Sequence, residues 1–179
     1  MNRDDKLCVL ERIELETKIG VMDITFCFNG LHVISLKQIN ELNEKHSNKL
    51  IYSDRLKTGE SKSINECIEY FNNYFAKKTD LLRETLPRIC WRSICEPNTF
   101  VERVLKELYK SDFGQTLSYK HLAELAGNSN AYRAVGTAMR KNRIPFIIPC
   151  HRVVNSDGSI GNYSLGIHFK KYLLEHEKS

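Results

Sequence analysis

Residues 118–142 read SYKHLAELAGNSNAYRAVGTAMRKN, and this stretch decides how the second half of the chain is built. SYKHLAELA has the pattern of a short helix that stops at Gly127, where a glycine suits a left-handed C-terminal cap. After Asn128-Ser129-Asn130 a second helix begins, AYRAVGTAMRKN, because Ser and Asn favour helix starts. Two short helices joined by a tight Gly/Asn turn, the second one basic, form the helix-turn-helix pattern.

Working outward, FVERVLKELYK lies upstream, where Thr99 followed by Glu102 makes a capping-box pattern and Phe100, Val101, Val104, Leu105 and Leu108 form one apolar stripe. Downstream come the apolar PFIIP, then RVV, a turn at Asn155-Ser156-Asp157-Gly158, and SIGNYS, a pattern that predicts a small hairpin or wing. IHFKKYLLEHE closes the chain as an amphipathic helix.

The first third reads as strands. LCVLERIELETKIG and VMDITFCFNGLHVISL contain alternating and β-branched runs, parted by turn signals at Lys18-Ile19-Gly20 and Asn29-Gly30. The polar stretch from Lys37 to Lys62 has no clear period and predicts loop or weak helix. INECIEYFNNYFA then places Ile64, Cys67, Ile68, Phe71, Tyr74 and Phe75 on one helical stripe that would cover a sheet face. From Lys77 to Pro97, with Pro87 and Pro97 as breakers, the chain looks like a connection. The expected class is therefore α+β, with a small N-terminal antiparallel sheet plus helix in residues 1–96 and a helical, winged helix-turn-helix domain in residues 97–179.

Composition agrees with a folded chain. Of 179 residues 41% are hydrophobic and 27% charged, and only 4 are Pro and 9 Gly, which excludes disordered and collagenous classes. No run approaches the roughly 18 to 20 apolar residues of a membrane helix, and MNRDDKLCVLER is too charged for a signal peptide's apolar core. An intracellular protein is expected, with its six cysteines held as thiols or metal ligands rather than disulfides. The net charge of +5 comes wholly from residues 101–179, where 12 basic side chains face 7 acids. Lys120 to Arg152 carries six of those cations and one acid, Glu124, which suits an anionic partner such as nucleic acid.

The run with the most chemistry is Pro149-Cys150-His151-Arg152-Val153-Val154. A thiol becomes a nucleophile as the thiolate, and a neighbouring imidazole can take its proton directly or through water. On an extended backbone adjacent side chains point apart, so a water bridge is expected. The imidazole needs a partner that holds its tautomer, usually a carboxylate. A lone cysteine is more often a small buried hydrophobe, so position alone does not decide the matter.

The segment Ile148 to Val154, with Asn142 upstream and Gly161-Asn162-Tyr163-Ser164 downstream, resembles the active-site signature of the O6-alkylguanine-DNA alkyltransferases. The likeness runs from Phe100 to Glu177, takes in FGQTLSYKHLAELAGNSNAYRAVGTAMR, and reaches the N-terminal strands more weakly. It implies a ribonuclease-H-like first domain and direct reversal of DNA damage. An alkyl group would pass irreversibly, once per molecule, from O6 of a flipped guanine to Cys150. Under this resemblance His151 accepts the thiol proton, Glu177 polarises His151, Tyr119 donates a proton toward the guanine, and Asn142 ties the helix to the active-site segment. Arg133 fills the gap left by the extruded base, as a planar guanidinium can. The backbone of Ser164 and the carbonyls of Cys150 and Val153 hold the base, and Tyr163 and Met139 wall it in.

The resemblance also implies that the second helix enters the minor groove, so its face needs small residues, which Ala131, Ala134, Gly136 and Ala138 supply. Tyr132, Arg140, Lys141, Arg143 and Arg152 complete the expected DNA-contacting set. Tyr132 and Leu165 depart from the family's usual small residues; Leu165 on the pocket loop would narrow tolerance for bulky adducts.

Cys8, Cys27 and His32 line up with a structural zinc site of some animal family members. The fourth ligand there is a histidine from the interdomain connection. This chain has none, and Cys90 sits closest to the place, with Cys95 the alternative; Cys3His is an ordinary structural zinc shell. The zinc ligands lean toward an animal source and a nuclear location, and a monomer acting on double-stranded DNA is expected. Two other classes compete: a winged-helix sensor that recognises alkylated bases without transfer, and a thiol hydrolase. Cys150, His151 and Glu177 together argue against the first, and the basic helix pair argues against the second.

Overall fold

The computed structural model describes residues 8–39, 49–53 and 62–178. The chain divides into two compact units, Met1–Cys90 and Trp91–Ser179, so the division falls earlier than the expected one after Glu96.

In the first unit β1 (Glu11–Thr17), β2 (Gly20–Cys27), β3 (Gly30–Ile39) and β4 (Lys49–Ser53) form one antiparallel sheet in the order β3-β2-β1-β4. The strict alternation of β1 and β2 puts Ile13, Leu15, Met22, Ile24 and Phe26 on the buried face. The partners Ile13↔Ile24 and Leu15↔Met22 stand opposite each other. On the other face Arg12 reaches Asp23 with two hydrogen bonds of 2.6 and 2.5 Å, and Lys37 pairs with Glu14. The expectation of loop or weak helix from Lys37 to Lys62 is corrected at residues 37–39 and 49–53, which are strand, while residues 40–48 and 54–61 lie outside the described residues. β3 continues to Ile39, and Lys49–Ser53 pairs with β1 as an edge strand. Lys49–Ser53 reads KLIYS, a run of apolar Leu with strand-forming Ile and Tyr, too short to show a period in the polar sequence around it.

Helix α1 (Lys62–Phe75) packs against β1 through Ile64, Cys67, Phe71 and Tyr74. Ile68 is only partly buried, and Tyr70 takes a core position in its place. A single turn, α2 (Thr79–Leu82), follows. The returning chain then lays Ile89 beside Leu31, with Leu31 N–H donating to the Arg88 carbonyl at 2.9 Å and Cys90 N–H to the Leu31 carbonyl at 3.0 Å. Gly30 permits this approach. At φ +129° it has the glycine-only conformation, and a Cβ there would lie 2.4 Å from the Arg88 carbonyl oxygen.

The second unit is helical. Thr99 caps α3 (Phe100–Tyr109) by accepting from Glu102 N–H at 3.2 Å, and the Glu102 carboxylate accepts from Asn98 N–H at 2.7 Å, one residue before the cap. Ser118 caps α4 (Tyr119–Leu125) by accepting from His121 N–H at 3.0 Å. Each cap contributes about 1 kcal/mol. Gly127, at φ +84°, ends α4, and α5 (Tyr132–Lys141) follows. The strand pair β5 (Leu117–Ser118) and β6 (Val153–Val154) is parallel, and α6 (Ile167–His176) closes the unit.

The wing needs correction. Asn155 and Ser159 close a turn through Asn155 N–H to the Ser159 carbonyl at 2.9 Å, but Ser159 to Ser164 form no strand, and β6 pairs with β5 instead. Three glycine-rich turns in a few residues (Gly158, Gly161 and Gly166, all at positive φ) leave no extended run to pair.

Candidate active site

The β5–β6 pair sets the site, because it fastens Ser118, next to Tyr119, beside Val154, just past the Cys150 turn. Cys150–Arg152 form one 3-10 turn rather than the extended segment expected. Cys150 lies at the base of a cavity of about 590 Å³, walled by Tyr119, Tyr132, Arg133, Gly136, Met139, Arg140, Tyr163 and Ser164, with Asn155, Gly161 and Asn162. The residue is 7% exposed. Asn142 Nδ2 donates to Cys150 Sγ at 3.1 Å and to the Ile148 carbonyl at 2.8 Å, while its Oδ1 accepts from Ile144 N–H at 3.0 Å. One side chain thus joins the end of α5 to the nucleophile's turn.

Behind the thiol, His151 Nε2 stands 2.7 Å from Glu177 Oε1, and both residues are buried. Arg152 donates to the same carboxylate through Nε at 2.8 Å and Nη2 at 3.1 Å, and Gly114 N–H donates to Oε2 at 3.1 Å. Burial pushes the Glu177 carboxyl up, but the hydrogen bonds and positive charges of His151 and Arg152 outweigh it and hold the carboxyl far below its ordinary range. Burial lowers the His151 pKa, with Glu177 opposing, so the ring is neutral near pH 7. A carboxylate only accepts, so Nε2 carries the hydrogen. Nδ1, buried and without a hydrogen-bond partner among the described residues, presents a lone pair. Burial likewise raises the Cys150 thiol, opposed by the Asn142 hydrogen bond, and raises the Tyr119 and Tyr163 phenols, with Cys150 adding to both. The resting site is therefore a neutral thiol, a neutral imidazole with a vacant acceptor nitrogen, and two phenols held as donors.

Several expected residues fall elsewhere. Arg152 is 4% exposed and spends its guanidinium on Glu177 and on the Ser111 carbonyl, at 2.6 Å, so it cannot reach a phosphate. Its place is in the buried carboxylate network. Ala138 is wholly buried and packs in the core with Val135, which leaves Gly136 as the small residue at the cavity wall, with open space where a Cβ would be. Ala131 and Ala134 are half-buried, and neither lines the cavity. Arg133 is exposed beside the Tyr132 ring, 5.7 Å from its centroid. Arg140 donates to Thr137 Oγ1 at 3.1 Å, Arg143 donates to the Ser93 carbonyl at 3.2 Å, and Lys141 is exposed. Val153 is buried with its carbonyl bonded to Lys170, and Leu165 does not line the cavity, so the narrowing expected of it has no geometric basis.

In the first unit Cys8, Cys27, His32 and Cys90 bring four ligand atoms within 4.8 Å of one another. Cys8 Sγ and Cys90 Sγ are 3.9 Å apart, and Cys27 Sγ accepts from Asn29 N–H at 3.2 Å. The close approach at Gly30 is what delivers Cys90. Cys95 belongs to the other unit, where its thiol faces the Trp91 carbonyl at 3.8 Å, and it is not a ligand.

Residues 99–179 match the family model described as 6-O-methylguanine DNA methyltransferase, DNA binding domain. The whole chain is 36% identical to the human methylated-DNA–protein-cysteine methyltransferase over 174 residues, spanning 97% of this chain and 83% of that protein. This chain belongs to the methylated-DNA–protein-cysteine methyltransferase family. The mouse family member is 37% identical over 174 residues, 95% of this chain and 82% of its own. A family structure from Mycobacterium tuberculosis is 26% identical with a TM-score of 0.65, covering 96% of this chain and 94% of that one. The same bacterial protein solved in complex with DNA gives a TM-score of 0.64 at 26% identity, covering 92% and 91%.

Sequence reasoning missed four participants within this family site. Lys170 is wholly buried on α6, and the signal was a lysine inside the apolar Phe169–Leu173 stripe. Gly114 serves the Glu177–Arg152 network through its N–H, and Ser111 through its carbonyl and its hydroxyl, which accepts from Arg152 at 3.2 Å; backbone groups leave no sequence mark. Asn155 reaches the cavity wall from a residue read only as a turn former.

Proposed function

We propose that this member of a direct-reversal DNA-repair family takes the alkyl group of O6-alkylguanine onto Cys150. The observation that carries the assignment is a thiol at the base of an open cavity, backed by a neutral imidazole whose other nitrogen is fixed on a buried carboxylate. A flipped guanine enters the cavity beside Tyr119, and Arg133 and Tyr132 at its mouth face the duplex. The thiol gives its proton, through water, to His151 Nδ1. The thiolate sulfur then bonds to the alkyl carbon as the carbon–O6 bond breaks, and the departing guanine takes a proton from the Tyr119 phenol. His151 restores that proton, so thiol and O6-alkylguanine become thioether and guanine. No cofactor enters this balance.

The open Gly136 on α5, between Tyr132 and Arg140, suits close approach of a helix to the minor groove of double-stranded DNA. In the first unit the Cys3His cluster has the donor set and spacing of a structural zinc shell, and bound zinc would supply folding free energy there rather than chemistry.

Intact-mass spectrometry and peptide mapping after incubation with a duplex containing O6-methylguanine test the reading. One added methyl on Cys150, no more than one per chain, with guanine restored, is the expected result. An unmodified Cys150 in protein that binds the duplex would overturn it and favour a damage sensor.

A further inference from the structure

Lysine is seldom fully buried without a counter-charge, because moving an ammonium out of water is costly. Lys170 is wholly buried. Its Nζ donates to the Val153 carbonyl at 2.5 Å, and among the described residues no carboxylate stands within ion-pair distance of it. Glu177, the acid of this core, is occupied by His151 and Arg152. Helix α6 packs directly on the Cys150–Arg152 turn, so the cation lies against the segment that carries the nucleophile. Burial pushes Lys170 down to about 8, and Cys150 acts in the opposite direction. The negative charge this segment acquires during transfer is the Cys150 thiolate.

We propose that Lys170 is a positioning residue for the transfer, fixing the Val153 carbonyl and standing as the buried counter-charge of the thiolate that Cys150 becomes. The assignment rests on Cys150 as the alkyl acceptor. The resting site has a cation waiting for an anion, which accounts for a lysine held dry where a methionine would fit the apolar stripe. The other groups acting on the thiol are Asn142, Tyr163 and Tyr119, with His151 and Arg152 on its own turn and Glu177 beyond them. Of these Arg152 is already neutralised by Glu177; Arg133 and Arg140 on the cavity wall are exposed cations whose charge water screens, and Lys170 is the buried charge without a carboxylate partner among the described residues.

The test uses the full chain and iodoacetamide, a small uncharged probe that forms a sulfur–carbon bond with the thiolate as iodide leaves. Modification of the Cys150 peptide is followed by mass spectrometry between about pH 6 and 10, the range in which thiols ionise. Methyl transfer from an O6-methylguanine duplex runs in parallel. Lys170→Met and Lys170→Gln should both move the reactivity midpoint upward, with about tenfold slower modification near pH 7, the effect of one pKa unit, and recovery at high pH. Lys170→Arg, which keeps the charge, should hold the wild-type midpoint. A Gln variant with the wild-type midpoint, or loss by one factor at every pH, would reduce Lys170 to a peg for the Val153 carbonyl and overturn the assignment. Carbon-13 NMR of the lysine Cε in the wild-type protein supplies a readout independent of the variants' folding. Methylation of Cys150 removes the ionisable thiol that holds the Lys170 midpoint up, so that midpoint should fall, and an unchanged midpoint overturns the proposal. Absence of methyl on wild-type Cys150 would remove the reading beneath this one, whereas normal wild-type transfer with unshifted variants removes the Lys170 assignment alone.

Discussion

Replacing Glu177 by Gln tests the buried network at its centre. The carboxylate accepts from His151, from two nitrogens of Arg152 and from Gly114, and both Glu177 and Arg152 are at most 4% exposed. Glutamine keeps the shape, yet leaves the Arg152 guanidinium buried without its anion. Removing one partner of such a pair typically costs about 3–5 kcal/mol. A unit of this size loses roughly 4–8 °C of Tm per kcal/mol, so the fall should be about 12 °C or more. Thermal melts of wild type and Glu177→Gln across pH are the assay. The Glu177 pKa is depressed on folding, so its contribution is fully present above the ordinary carboxyl value of 4.5 and is lost as pH falls below it. His151, also depressed, adds a loss with the same sign that begins as pH drops below 6.5. The wild-type and variant curves should therefore lie far apart near pH 7 and draw together in acid. Adding Arg152→Met to Glu177→Gln should recover part of the loss by removing the stranded cation. A single variant melting within about 2 °C of wild type, less than 1 kcal/mol, would refute the claim that this network is dry and tightly coupled.

Asn142→Ala should leave the Ile148 carbonyl and the Cys150 sulfur without their shared donor, costing about 1–3 kcal/mol and slowing alkyl transfer, read by urea melts and single-turnover transfer. Cys90→Ser should lower zinc content and the melting temperature of the first unit while Cys150 still accepts methyl; plasma emission spectrometry and calorimetry would measure it, and full zinc retention would exclude Cys90 as a ligand. Gly136→Ala should stabilise α5 by about 0.5–1 kcal/mol, since a Cβ meets open space, yet weaken duplex binding measured by fluorescence anisotropy. Unchanged binding would mean that α5 does not approach DNA at this residue.

What the sequence makes legible follows the scale of the forces involved. Apolar periodicity and caps act over neighbouring residues, so β1, β2, α3, α4 and α5 can be read from the alternating runs parted at Gly20 and Asn29-Gly30, from Thr99 with Glu102, and from the stop at Gly127. Strand β4 lies hidden because its short run KLIYS is set in polar sequence without a period, and the β5–β6 pair because a two-residue parallel ladder joins segments remote in sequence. The same distinction separates the site's residues. Cys150, His151 and Asn142 stand in a motif, and the structure brings Asn142 to the Cys150 sulfur and His151 to Glu177. Arg152 is in that motif too, and charge alone assigns it to DNA, because a sequence shows that a guanidinium is present and not which carboxylate has claimed it. Lys170 carries the same lesson in reverse. Its place inside an apolar stripe is a faint sequence signal, and its burial, with a carbonyl for company and no acid among the described residues, marks it as a charge kept for an intermediate. A buried cation with no resident anion would be a standing cost to folding. Its presence beside a thiol that must become an anion gives that cost a use in the chemistry.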